Sequence, residues 1–379
     1  MKSKIKIQFA LLTLLFIAIS GFCQIPSGYY NNAAGKTGDV LRAALRDIIK
    51  NGQVKLSYAK VYTSFSTTDV TTSGGTIVWD MYSNCNYTVI TNQCTGGTSA
   101  ECQGYAREHC MPNSWWGGID DANHPQYTDL NHLFPADQYV NQEKSDHPIG
   151  QVTNPTYTSI NGSKVGPCSW SGYTGTVFEP IDEYKGDFAR AYLYLATRYM
   201  DSLSHWVTSY SSTEAKYVIN STGNNFKQWF IDMLVKWSND DPVSQKEIDR
   251  NNNIYYNTTQ HNRNPFIDHP EYICEIWSSS YFTATSVSEA KTISDNYLVL
   301  YPNPASGNIT YSIYSSDISE ITFEMENYLG QTIYKKKIET QNGQNKFDLD
   351  ISNFQQGIYF VITRKENGDI IGSKQLVIQ

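Results

Sequence analysis

With 379 residues and a net charge of −8, the chain is long enough for more than one domain and has no global basic field to announce a polyanion partner. Any nucleic-acid site must rest on a local cluster of Lys and Arg. A hydrophobic content of 40%, only 17% charge, 28 Tyr and 8 Trp describe a soluble globular chain of extracellular character.

Lys2, Lys4 and Lys6 precede an apolar run over 7–19 and a stretch ending Gly21-Phe-Cys-Gln24. These are the parts of a secretory signal peptide over 1–23, too short to span a membrane stably. Cleavage after Cys23 fits best. Lipid modification of Cys23 is the alternative, set back by Phe22. Removal of the three lysines takes the charge from −8 to −11. Six cysteines then remain, an even number that in an exported chain favours disulfides. Cys94 and Cys102 enclose a short Gly/Ser/Thr-rich loop and are the favoured pair. The absence of any C-x-x-C argues against structural zinc.

The spacing of Leu41, Leu45, Ile48 and Ile49 predicts a helix over 39–50. From 53 to 80, short Val/Tyr/Ile runs between Ser, Thr and Gly clusters predict strands and loops, with 76–82 as one strand. An ordered irregular connection over 149–175 is expected to be anchored by Cys168 and Trp170. Helices are expected at 188–199, 225–237 and, behind a Ser244-Gln-Lys-Glu247 capping box, from 244 to about 255. Arg263, Asp268 and His269 are expected to tie down a loop. The Ser/Thr-rich composition after 277 reads as a linker over 278–297. Short strands over 298–379 then predict a small β-sandwich.

The chemistry centres on Tyr105-Ala-Arg-Glu-His109, followed by Pro112 and Trp115-Trp116, and on Asp129-Leu-Asn-His-Leu-Phe-Pro-Ala-Asp137. Glu108 and Asn141 offer oxygens suited to a hard divalent cation, and a neutral His109 nearby can activate water. Strand neighbours point to opposite faces, so Glu108 and His109 converge only at a strand end, bulge or strong twist. Pro112 makes a strand end credible. Pro135 suits the first position of a helix running through Ala136 to Lys144, which would present Asn141 from a rigid element.

These segments, with Phe178-Glu-Pro-Ile-Asp-Glu-Tyr-Lys-Gly-Asp187 and Asn262-Arg-Asn-Pro-Phe-Ile-Asp-His-Pro-Glu271, resemble the bacterial endonuclease I family over about 27–277. The resemblance implies an α+β fold. It has a ββα-metal (His-Me finger) nuclease core with surrounding helices, and the small C-terminal β-sandwich follows it. It implies a metal-dependent endonuclease that cuts DNA, and often RNA, with little sequence preference and leaves 5′-phosphate ends. His109 is implied as general base, and Glu108 and Asn141 as ligands of Mg²⁺ or another divalent cation such as Mn²⁺ or Ca²⁺. Some members hold the phosphate with an arginine after the histidine. Residues 114–130 contain no Arg or Lys, so Arg107 and Arg190 are the substitutes. Asp129 and His132 are candidate partners orienting the site, Lys144 a candidate phosphate contact, and Trp115 a candidate stacking platform.

Tyr301-Pro-Asn-Pro-Ala-Ser-Gly307, Gly357-Ile-Tyr-Phe-Val361 and Lys374-Gln-Leu-Val-Ile378 resemble a type IX secretion sorting domain, implying that secretion machinery as a partner. The resulting expectation is a signal peptide (1–23), a catalytic domain (24–277), a linker (278–297) and a sorting domain (298–379). The mature protein would be a secreted or surface-attached monomer without a transmembrane segment. A secreted phosphoesterase of small esters and a non-catalytic surface-binding protein are the competing readings.

Overall fold

The structure, a computed structural model, describes residues 25–283, 298–315, 319–327, 331–368 and 370–379. The signal peptide and most of the expected linker lie outside them. Ten helices are described: α1 (Gly38–Lys50), α2 (Tyr58–Thr68), α3 (Gln138–Lys144), α4 (Lys185–Arg198), α5 (Leu203–Ser209), α6 (Ala215–Val218), α7 (Gln228–Asp240), α8 (Gln245–Asn257), α9 (Pro265–Asp268) and α10 (Glu271–Thr283). None is long and apolar enough to cross a membrane.

Strands β1 (Tyr105–His109) and β2 (Leu133–Asp137) form an antiparallel two-stranded sheet, and α3 follows β2 directly. Strands β3 (Tyr157–Thr158), β4 (Lys164–Pro167) and β5 (Thr176–Glu179) form a second small sheet, the first two in the stretch expected to be irregular and the third just after it. Val152 bridges to Cys168 there, and Cys168 is buried.

Helix α4 is the centre of the main core. Residues Gly186 to Arg198 are all buried, which is the signature of a helix surrounded on every side rather than one lying on a surface. The stripe that helical spacing predicts for 188–199 (Phe188, Tyr192, Leu195 and Tyr199) is only part of the burial, because Leu193 and Tyr194 on the other faces are also fully covered. Fully burying each such side chain contributes about 1.5–3 kcal/mol. Leu41, Leu45 and Ile49 of α1 and Phe230, Met233 and Leu234 of α7 join the same cluster. The capping box is present: Glu247 N donates to Ser244 Oγ (3.2 Å), and Ser244 N donates to Glu247 Oε2 (2.8 Å).

Four expectations are corrected. The stretch expected to be strands contains α2, because Tyr58, Val61, Tyr62 and Phe65 repeat at helical spacing behind a Ser57 cap that accepts from Lys60 N at 3.2 Å. Around 76–82 only isolated bridges occur, Ile77 to Thr88 and Val78 to Val70. Pro135 is in β2, opposite Arg107, and Asp137 caps the helix instead. A two-stranded sheet has only edge strands, so a proline is tolerated there.

The fourth concerns the disulfide. Cys102 pairs with Cys85, leaving Cys94 a free thiol. Cys94 is held by its backbone, its N–H donating to Tyr105 O at 2.9 Å. Its sulfur packs where a β-carbon of residue 104 would sit, which is why Gly104 stands there.

Helix α10 continues to Thr283, into the stretch read as linker. Beyond it, the described strands β6 (Leu298–Tyr301), β7 (Asn308–Ser315), β8 (Ser319–Asn327), β9 (Thr332–Thr340), β10 (Gly343–Asp350), β11 (Gly357–Lys365) and β12 (Ile370–Ile378) make two sheets, β10-β7-β6 and β12-β11-β8-β9. Tyr311 and Ile313 of one sheet and Phe323, Met325, Val361 and Leu376 of the other share a core separate from that of α4. Their alternation along each strand is what a two-sheet sandwich requires.

Candidate active site

Strand β1 ends at His109, so Glu108 and His109 are its last two residues. The strand-end condition set by side-chain alternation is met. Strand β1 pairs only with β2 in its sheet, and Tyr105 alone is bridged on the other side, to Gln93; residues further along line a polar cleft of about 560 Å³ with Tyr58, Tyr62, Arg107, Glu108, His109 and Asn141 among its walls.

His109 is 4% exposed, and its Nε2 lies 2.8 Å from the carbonyl of Tyr127. A carbonyl can only accept, so Nε2 carries the proton and Nδ1 the lone pair. Burial, reinforced by the neighbouring His132, lowers its pKa to about 3. The imidazole is therefore neutral at ordinary pH. His132 repeats the arrangement one layer deeper. Its Nε2 lies 2.6 Å from the carbonyl of Gln126, and the two rings are 5.5 Å apart. The two histidines thus hold consecutive carbonyls of the 3-10 turn Pro125–Thr128.

Glu108 is also buried, which raises its pKa, while Lys144 opposes the rise. Lys144 is completely buried, and its Nζ donates to Glu108 Oε1 at 2.7 Å. The second carboxylate oxygen has no such partner. The Asn141 carboxamide, half-buried in the cleft wall, makes no hydrogen bond to any described residue. One turn of α3 carries both Asn141 and Lys144, so both can face β1.

The start of α3 is fixed by Asp137. Its Oδ1 accepts from Tyr139 N (2.8 Å) and Val140 N (3.1 Å), and its Oδ2 from Cys102 N (2.8 Å). The cap is thereby tied to the Cys85–Cys102 disulfide.

Arg107 is the one cation among the described residues that line the cleft. Its guanidinium carbon lies 3.4 Å from the Tyr58 ring centroid and 4.1 Å from that of Tyr62, and Nη1 donates to Tyr58 O at 2.5 Å. Such stacking restricts the arginine while leaving N–H donors for an anion. Its Nε is buried without a partner.

The remaining expected residues lie apart from the cleft. Asp129 Oδ2 accepts from Gln53 Nε2 (2.9 Å), Tyr194 OH and Tyr199 OH (2.7 Å each), while Oδ1 accepts from Asn131 N (3.0 Å) and Gln260 Nε2 (2.8 Å). Asp129 is thus a structural hub behind β2. Arg190 is 1% exposed; its Nε and Nη2 donate to Glu247 at 2.6 and 2.7 Å, and Asp187 lies 3.8 Å away. No phosphate in the cleft can reach it. Trp115 is fully buried, and its Nε1 donates to Asp146 O at 3.2 Å. It has no ring face to offer a base. Lys144 likewise spends its charge on Glu108 rather than on the open surface.

Sequence reasoning missed Tyr58, Tyr62, Tyr127 and Asp137. The helical repeat of α2 was the available signal for the first two. Nothing local marks Tyr127, which acts through its carbonyl.

The Endonuclease I family model matches residues 37–271, more than half of the chain. The chain belongs to the endonuclease I family. Residues 299–379 match the secretion system C-terminal sorting domain. This endonuclease I family member is 34% identical over 281 residues to an extracellular ribonuclease of Bacillus amyloliquefaciens, a match covering 73% of this chain and 88% of that one. It is also 34% identical over 251 residues to an extracellular ribonuclease of Bacillus subtilis (strain 168), covering 66% and 78%. It is a nuclease, and one that is secreted or displayed at the cell surface.

Proposed function

We propose that the protein is a metal-dependent endonuclease that hydrolyses internal phosphodiester bonds of DNA and RNA with little sequence preference, leaving 5′-phosphate ends. The observation that carries this reading is the pair of polar groups left unspent beside a neutral histidine: one Glu108 oxygen and the Asn141 carboxamide. The carboxylate of Asp129 behind the strand, by contrast, is fully consumed by internal donors. The ββα arrangement of β1, β2 and α3 is what a His-Me finger site requires, and it supports the same reading.

The donor set fits a hard divalent cation of the Mg²⁺ type, because both groups present oxygen and the carboxylate brings one negative charge. When bound there, such a cation would supply electrostatic stabilisation of charge on the phosphate and the leaving oxygen. The residues of the chain do the rest. Lys144 fixes Glu108 through Oε1 and leaves the other oxygen available. Arg107, held between two tyrosine rings, attracts the phosphate into the cleft. His109 Nδ1 takes a proton from water as the water oxygen bonds to phosphorus. The bond from phosphorus to the 3′-oxygen breaks, and that oxygen is protonated by solvent. The Tyr127 carbonyl steadies the imidazolium that forms, because Nε2–H already points at it.

The division into a catalytic domain, a linker and a sorting domain belongs to the same proposal, supported by two separate cores and two family matches. Both relatives are extracellular ribonucleases, which supports RNA as a substrate. Incubation with supercoiled plasmid and with single-stranded RNA, with and without EDTA, tests the reading. Internal cuts in both polymers that vanish with EDTA are expected. Activity on small phosphate esters alone would overturn it.

A further inference from the structure

Asp146, His147 and Glu214 are not part of the centre just described, yet one ligating atom of each lies within 4.8 Å of the others. His147 Nδ1 lies 3.0 and 3.2 Å from the two Glu214 oxygens. That is the separation of neighbouring ligand atoms around a cation with bonds of about 2.1 Å. We propose that Asp146, His147 and Glu214 form a second, structural divalent-cation site beside the cleft, selective for a borderline transition ion such as Zn²⁺ over Mg²⁺.

The backbone under the three ligands is well fixed. Trp115, fully buried, donates from Nε1 to Asp146 O at 3.2 Å, and His147 N donates to Lys144 O at 3.2 Å, directly off the end of α3. Glu214 comes from a segment 67 positions further along, at the start of α6, where its carbonyl accepts from Tyr217 N at 2.9 Å. Preformed positions lower the ordering cost of binding. All three side chains are half-buried, so an ion can enter and still be partly shielded from water.

The charge balance points the same way. A contact between His147 and Glu214 uses two of the three groups and leaves the Asp146 carboxylate beside them with, among the described residues, only Ser145 Oγ, at 3.5 Å. A divalent cation satisfies both carboxylates at once. One imidazole nitrogen with two carboxylates is a donor set that suits Zn²⁺ better than an all-oxygen site does. Such an ion would join the segment after α3 to the start of α6. Asp146 lines the cleft, so the clamp would hold the cleft wall next to Asn141 without touching the reacting atoms.

The test is calorimetric titration of the full mature chain carrying Glu108→Gln and Asn141→Ala, which disables the proposed catalytic ligands and so separates the two sites. One equivalent of Zn²⁺ is expected to bind at least tenfold tighter than Mg²⁺. Adding Glu214→Gln or Asp146→Asn is expected to weaken Zn²⁺ binding at least tenfold, and Zn²⁺ should raise the melting temperature only where the site is intact. Asp146→Asn is nearly isosteric and keeps the test valid if Glu214→Gln misfolds. No Zn²⁺ bound by the double variant, or binding indifferent to both further substitutions, would overturn the proposal. Neither result bears on hydrolysis at Glu108 and His109.

Discussion

Two polar regions meet at β2, and they treat their charges in opposite ways. Behind the strand, Asp129 accepts five hydrogen bonds. Arg250 donates to Asp69 Oδ1 (2.6 Å) and to the carbonyls of Leu130 (2.6 Å) and Leu133 (2.8 Å). In front of it, among the described residues, Glu108 has one side-chain partner, Asn141 none, and His109 a free Nδ1. Buried polar groups are ordinarily satisfied. The satisfied side is therefore scaffold, and the unsatisfied side is where a ligand is expected.

His109→Ala is the substitution expected to act most strongly on the front. Loss of a positioned base should cut the plasmid-nicking rate by about 10²–10⁴-fold while circular dichroism and melting stay close to the parent. A rate within tenfold of the parent would sink the assignment. Asp129→Ala should do the reverse. Leaving several buried donors unpaired is expected to cost about 3–5 kcal/mol of stability, read by urea unfolding, with the folded fraction nearly as active per molecule. A hundredfold loss of turnover at unchanged stability would move Asp129 to the front.

Lys144→Met falls between the two. Glu108 would stay buried with no cation to hold it, and about a 10–100-fold loss of metal-dependent activity is expected. Higher metal concentration should restore part of it, as checked by Mg²⁺ titration of the nicking rate. No partial rescue would mean that Lys144 acts other than through Glu108.

The smallest expected effect is on pH dependence. Burial raises the Asp80 pKa to about 7, against hydrogen bonds from Ser83 and from the backbone amide of Tyr82. Between about 4 and 7 the native chain then binds more protons than the unfolded one, so stability falls as pH rises through that window. His109, lowered to about 3, does the opposite. The unfolded chain takes up its proton below about 6.5, and stability falls as pH falls. Each slope is at most about 1.4 kcal/mol per pH unit, and they oppose one another between about 4 and 6.5. With EDTA present, Asp80→Asn should unmask the histidine and make the urea midpoint drop more steeply on acidification than in the parent. An unchanged slope would contradict the opposition.

The front of the site was largely legible in the sequence, because Glu108, His109 and Asn141 are close to their own strand end and helix. The central helix was legible too, from its apolar repeat, although burial on all sides was not. The back was not legible. Arg190 and Asp129 sit in motifs with the same residue types as the site, and only their distant partners (Glu247, Gln260) reveal that their charges are already spent. Trp115 failed as a stacking candidate for a similar reason, since only the fold decides whether an indole faces solvent. Cys102 was assigned to the nearer cysteine in the loop, whereas Cys85, 17 positions away, is the one the chain brings to it. The Ser/Thr content of α2 obscured its helical repeat.

The supports of β2 also set when the site can exist. Leu130 and Leu133 are held from positions 120 and 117 residues further along, Asp129 from 131 residues further, and Asn262 Nδ2 donates to Ile49 O across 213 residues. Contacts of such sequence separation are closed late, because the intervening chain must first surrender its loop entropy. On the function proposed above, a nascent or half-translocated chain that already contains His109 and Asn141 has the reagents but not the vessel. Competence to cut arrives only after Asn262 has emerged, close to the end of the domain.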